Sequence, residues 1–249
     1  MVSALPATLT ARLAPPEVTK ALQPYLQRDA AAQGGAIVVF LGVPESEVSG
    51  QEFSHHQLLL DYRLPLGNGN NMFISVSAPG DLESAPAGHR AVIISTHCDL
   101  EAWEGLADED YQRRKMRMGE RLIGLARRVY PNLGREAIVR EVATPRTYER
   151  YTRRPRGAVG GLRQTLANSN QNALPQKIGV PGFWLAGDTT WPGLGTVACV
   201  LGSRLVAEGV LKFHPSIEHK LCDLVPRRTG AAYIANAPAQ VQRQTAGRS

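Results

Sequence analysis

One stretch, FWLAGDTTWPGLGTVACVLGSRLVAEGVL from Phe183 to Leu211, constrains this chain more than any other. FWLAG has the composition of a short buried strand, and the segment then breaks at Gly187-Asp188 and crosses a Pro/Gly-rich turn. It runs on as a helix whose apolar residues recur at helical spacing. Asp188 falls at the carboxyl end of the strand, where α/β sheets place their ligands. The first turn of the helix offers unpaired N–H groups and a partial positive charge. Gly193 and Gly195 ahead of it let an anion or an electron-rich ring edge approach the backbone. Asp188 can accept hydrogen bonds from a sugar-alcohol hydroxyl beside such a ring. Two readings stand at this point: the edge of a cofactor site, or a plain strand-turn-helix with glycines for the turn.

Gly193-Leu194-Gly195-Thr196-Val197-Ala198 also fits the dinucleotide fingerprint GxGxxG/A. That motif requires a second strand and an acid after the helix. Here Lys212, Phe213, His214 and Pro215 follow, so the βαβ unit is missing. The glycines of GNGNNM, residues 67–72, lie between strands and do not replace it.

The rest of the chain alternates in a different way. PPEVTKALQPYLQRDAAA reads as a short helix broken by Pro24. GAIVVFLGV, SHHQLLLDY, NMFISVS and HRAVIIST read as four strands separated by turn-rich segments, as in an antiparallel or mixed sheet. A long helix begins near Asp108–Asp110, with Met118, Leu122, Leu125 and Val129 on one face. EAIVREVA is a further strand, and a short helix follows Thr144-Pro145, stopped by Pro155 and Gly157. The fold class is therefore α/β: an α+β domain with a mixed or antiparallel sheet, plus the strand and helix of the opening stretch. Four segments result, at 1–14, 15–162, 163–211 and a basic, polar tail at 212–249, the last expected to be partly disordered.

Charge is unevenly spread. Residues 1–112 carry 5 basic and 14 acidic side chains, and residues 113–163 carry 15 basic and 4 acidic. Such a block fits a solvated helix face or an anionic membrane surface, and nucleic acid is not expected as a partner. No apolar run reaches the length of a membrane-spanning helix, and the N-terminus lacks the pattern of a signal peptide. Cys98, Cys199 and Cys222 are odd in number and widely spaced, which favours a reducing, cytoplasmic setting and no zinc site. His55 and His56 adjoin in a strand and point to opposite faces, so they are not expected to share a metal. His97-Cys98 has no third partner nearby in sequence, and Cys199 reads as a small core residue. No catalytic residue is assigned.

LAGDTTWPGLGT resembles the C-terminal flavin-binding signature of the phytoene desaturase-like family, which includes carotenoid desaturases, carotenoid isomerases and retinol saturases. The family pattern Gly-Asp-Ser/Thr-Thr-x-Pro-Gly-x-Gly is matched by Gly187, Asp188, Thr189, Thr190, Pro192, Gly193 and Gly195. TPRTYERYTRRPRGAVGG is similar to the family block that ends in a Gly-rich run over flavin and substrate, and VSALP to the strand entering the substrate domain. The resemblance spans residues 1 to about 212. It implies a substrate domain at 15–162 and a returning FAD-binding strand-turn-helix at 163–211. The resemblance also implies FAD as cofactor and a carotenoid-like polyene as substrate, desaturated or isomerised by hydride transfer, with the strands at 36–96 as one wall of its tunnel. Gly187, Asp188, Thr189, Thr190, Pro192, Gly193, Gly195, Thr196 and Val197 are expected at the cofactor, with Asp188 on the ribityl chain. Thr144, Tyr148, Tyr151, Gly160 and Gly161 are expected on its substrate side. The family's N-terminal dinucleotide-binding segment has no counterpart here, so a separate polypeptide supplying that half is an expected partner, with a peripheral place at a membrane. The competing expectation is a non-catalytic remnant or partner-binding module that does not hold flavin alone.

Overall fold

The structure, a computed structural model, describes residues 1–159 and 161–213. It comprises a unit from Met1 to Ser203 and a second beginning at Arg204. Two sheets organise the first unit. The larger has five antiparallel strands in the order β3-β4-β5-β2-β6, formed by β2 (Gly35–Pro44), β3 (His55–Leu59), β4 (Asn71–Val76), β5 (His89–Cys98) and β6 (Val139–Ala143). The smaller is a parallel pair, β1 (Val2–Ser3) with β7 (Trp184–Leu185), in the register Val2 to Trp184 and Ser3 to Leu185. The mixed α/β class expected from sequence is what the chain adopts.

The large sheet buries one face against α3 (Asp108–Ala126). Strand alternation puts Ile37, Val39 and Leu41 of β2, Ile74 of β4 and Ile94 of β5 on that face, where they meet Leu122 and Ile123 of α3. Three acids, Asp108, Glu109 and Asp110, occupy the first turn of α3, where they complement the helix dipole. Met118, Leu125 and Val129 join this core only partly buried, Val129 from the turn after the helix.

The small sheet is covered by α1 (Ala7–Leu13) and α2 (Pro16–Arg28). Val18 and Leu22 of α2 pack with Leu174, Phe183 and Leu185 in a second core. Helix α2 runs through Pro24, contrary to the expected break. Burying Val18 and Leu22 is worth about 1.5–3 kcal/mol each, which offsets the roughly 3 kcal/mol that an internal proline costs. Helix α1 was not expected from the sequence.

The short helix α4 (Pro145–Thr152) is held by a capping box, in which Thr147 Oγ1 accepts the Thr144 N–H at 3.1 Å. It ends in a left-handed Arg153 (φ 59°), before the proline expected to stop it. The last helix, α5 (Thr196–Phe213), begins after the Gly193 and Gly195 turn. Of the second unit the structure describes Arg204–Phe213, which is helical and carries an Arg204–Glu208 ion pair at 2.9 Å. The tail from 214 onward lies outside the described residues.

Candidate functional site

The turn between β7 and α5 is built from the residues singled out in the sequence. Gly187 has φ 108°, a conformation that side-chain-bearing residues rarely adopt, and its carbonyl accepts the Thr190 hydroxyl at 2.9 Å. Thr190 is thereby buried, while Thr189 Oγ1 accepts the Ala7 N–H at 3.2 Å and ties the turn to the start of α1. Pro192 follows a cis peptide bond from Trp191. Gly193 (φ 114°) and Gly195 (φ 99°) then aim the chain into α5, whose first residues, Thr196 and Val197, are exposed. A side chain built at Gly195 would meet nothing within 4 Å, so the space over the helix start is open.

Asp188 is gripped by a residue that sequence reasoning missed. Both its carboxylate oxygens accept from the Arg154 guanidinium, at 2.7 and 2.9 Å, and each side chain is 21% exposed. A bidentate pair at that depth fixes geometry as well as charge. The only sequence signal was the arginine-rich run Thr152 to Arg156. The backbone reinforces the grip, because a Cβ on Gly161 would lie 2.5 Å from the Asp188 carbonyl oxygen. Glycine at 161 (φ 70°) is what lets the two segments touch.

Of the other residues expected on the substrate side, Thr144, Tyr148 and Tyr151 line neither of the clefts beside Thr189. Thr144 is fully buried, its hydroxyl 2.5 Å from that of Tyr111 and engaged in capping α4. Tyr148 is half-buried, and burial raises its phenol above the ordinary range, with a smaller push from Cys98. Tyr151 is exposed beside α3 and lines none of the clefts at the turn. Gly160 lies outside the described residues. Of this group the structure brings Gly161 to the turn.

His55, His56 and Cys98 have structural places. His55 pairs with Ser75 and His56 with Tyr130, each at 2.9 Å, on opposite faces of β3. Burial, then Asp99, push the Cys98 thiol up to about 12, against a smaller lowering by Arg163, so it is no nucleophile. Among the described residues, no group of three or more His, Cys, Asp or Glu could hold a metal ion. No helix among them is long and apolar enough to cross a membrane.

The donor set suits one edge of a polyhydroxylated ring cofactor. The space beside Gly195, just ahead of α5, is open, and each Asp188 oxygen keeps a lone pair beyond its bond to Arg154. The two clefts that Thr189 lines measure about 50 and 60 Å³, and another beside Trp191 measures about 410 Å³. Pockets that enclose whole ligands run to roughly 300–1,000 Å³, so Asp188 and Thr189 meet such a cofactor at an edge.

No protein-family model matches the chain. Among curated proteins, it is 27% identical over 177 residues to the chloroplastic prolycopene isomerase of Daucus carota, covering 69% of this chain and 28% of that one. Prolycopene isomerase 2 of an Oncidium hybrid cultivar is 27% identical over 175 residues, covering 69% and 30%. The Arabidopsis thaliana prolycopene isomerase is 27% identical over 177 residues, covering 69% and 29%. The chain thus spans less than a third of the length of these relatives. An oxidoreductase from Methanosarcina mazei is similar in structure, with a TM-score of 0.47 and 16% identity over 83% of this chain and 42% of that one. Over 69% of its length, this chain is similar to carotenoid isomerases of the phytoene desaturase-like family, as its Gly-Asp-Thr-Thr turn led us to expect.

Proposed function

We propose that this chain forms the substrate domain and one flavin edge of an FAD-dependent oxidoreductase acting on a carotenoid-like polyene. One observation carries the reading. The Asp188 turn and the Arg154–Gly161 segment, the two blocks that resemble the family, meet in space through a bidentate ion pair and a glycine contact. When bound, the flavin supplies hydride acceptance and return. Asp188 accepts from sugar-alcohol hydroxyls, held in aim by Arg154. The start of α5 would favour negative charge on a ring bound beside it, a helix-terminus effect of about 0.3–1 kcal/mol.

The large sheet supplies the wall for the polyene. Phe40 of β2 stands opposite Ile93 of β5, and Phe73 of β4 lies on the same face. These three are 38, 44 and 40% exposed, on the side of the sheet turned away from α3. A row of apolar side chains facing outward in register costs solubility unless something apolar covers it. A long hydrocarbon fits that strip.

A second reading rests on Arg154 itself. Since it occupies both oxygens of Asp188, the pair also suits a non-catalytic module that only fastens two segments together. Fluorescence titration with FAD, on the chain co-produced with the N-terminal half of a carotenoid isomerase, separates the readings. Asp188→Ala is expected to weaken binding about tenfold or more, the worth of one hydrogen bond to a charged group, whereas Asp110→Ala at the start of α3 leaves it unchanged. Equal affinity in both variants would favour the fastening role.

A further inference from the structure

We propose that the groove between α3, β6 and α4 binds a ligand bearing a phosphate group next to an apolar body. This groove shares no lining residue with the clefts at the Asp188 turn, and its volume is about 580 Å³, within the range of small-molecule sites. Its floor exists because α3 comes unusually close to β6. A Cβ on Gly119 would lie 2.7 Å from Val142 Cγ2, so only glycine permits that approach.

The walls are cationic beyond what the fold needs. Four basic side chains line the groove. Arg140 is paired with Glu120, and Arg146 with Asp108 at 3.0 Å. Lys115 and Arg150 make no ion pair among the described residues, although Lys115 is only partly exposed. With no carboxylate paired to them, Lys115 and Arg150 leave a positive wall open to an anion. Glu141 also borders the groove, but it alternates with Arg140 and Val142, whose side chains reach α3 residues, so its own side chain leaves the opposite face of β6.

The cationic wall is also held in place. The Arg146 guanidinium lies over the Tyr111 ring at 4.1 Å, and Tyr111 is fixed by Thr144 and edge-on to Trp103 at 5.9 Å. The terminal nitrogens of Arg146 donate to Asp108 Oδ1 at 3.0 Å and to the Leu106 carbonyl, so Arg146 gives the wall a fixed positive charge, and among the described residues the wall's free donors are those of Lys115 and Arg150. At the rim, Met116 and Tyr151 are 54 and 76% exposed. Apolar and aromatic groups beside unpaired cations match an anion whose neighbouring atoms are apolar, either the headgroup of a phospholipid or a soluble phosphorylated amphiphile.

Two probes distinguish these sources in the full chain. Monomeric short-chain phosphatidic acid stands for the soluble ligand, followed by titration calorimetry. Phosphatidylcholine vesicles with and without phosphatidylglycerol stand for the membrane, followed by co-flotation. Lys115→Gln/Arg150→Gln should weaken the productive arm about tenfold or more, two charge-assisted contacts being lost. Arg128→Gln/Arg135→Gln removes the same charge from exposed positions outside the groove and should leave binding nearly intact. Thermal midpoints of both variants verify that the fold is retained. Binding of either probe with that contrast supports the site and names its source. Failure of both probes to bind, or equal losses in the two double variants, overturns it.

Discussion

Arg154 turns Asp188 from a loose acid at a strand end into an oriented one. Its contribution is separable by substitution, because Lys keeps the charge and loses the fork. Arg154→Lys should retain part of the flavin affinity, and Arg154→Ala should lose about as much as Asp188→Ala, since each truncation leaves a partly buried charge without its partner. An Arg154→Ala variant with unaltered FAD affinity would reduce the pair to a surface tie. Cys98 gives a test independent of any ligand. Its thiol is 1% exposed and pushed up to about 12, so the folded chain should resist iodoacetamide there at pH 8 while the unfolded chain is alkylated. The same shift sets a pH dependence. The unfolded thiol ionises near its ordinary value of 9.0 and the folded one only near 12, so this group's share of stability is intact below pH 9 and is lost as pH rises toward 12. Peptide mapping that finds Cys98 modified in the native state would contradict its burial.

Helix α3 holds two glycines with opposite expected effects. At Gly119 a Cβ would press on the stiff Val142 side chain at 2.7 Å, whereas at Gly124 it would meet nothing within 4 Å. Gly119→Ala should therefore destabilise by about 1–3 kcal/mol, and Gly124→Ala should stabilise by about 0.5–1 kcal/mol. Thermal or denaturant unfolding checks both, and shifts of the same sign would contradict the packing described. The sequence made α3 legible, since its period and acidic first turn are local, but Val142 lies too far along the chain for that approach to be seen. The five long strands were legible for the same reason, through alternation and flanking turns. Helix α1 was not, because Ala7–Leu13 lies between prolines and takes its support from Thr189, a contact across 182 positions. The Asp188 turn showed in its glycines and its acid. Its partner Arg154 did not, since one arginine in a run of them looks like solvated surface until the fold brings it to a carboxylate. Thr144 shows the converse: its place beside a proline marked a helix cap correctly, and its hydroxyl is taken up by that cap and by Tyr111.

At the scale of the molecule, two apolar or charged surfaces among the described residues exceed what folding requires: the outer face of the large sheet and the groove beside α3. Both belong to Met1–Ser203, the unit that also carries the Asp188 turn. The parallel sheet at that turn has two strands, β1 and β7, and the clefts lined by Thr189 hold about 50 and 60 Å³. The adenine and pyrophosphate of a dinucleotide rest elsewhere on a strand, a glycine turn and a helix, and no such unit occurs among the described residues. One helix terminus and one or two hydrogen bonds do not offset the several kcal/mol lost on immobilising a ligand of that size. The direct test is the flavin bound to this chain when it is produced alone and when it is co-produced with the N-terminal half of a carotenoid isomerase such as that of Daucus carota, read from the absorbance of the purified protein. The account predicts little flavin on the chain alone, and near-stoichiometric flavin on the reconstituted pair that is lost again with Asp188→Ala. Stoichiometric flavin on the chain alone, or a flavin content that the added half leaves unchanged, would contradict it.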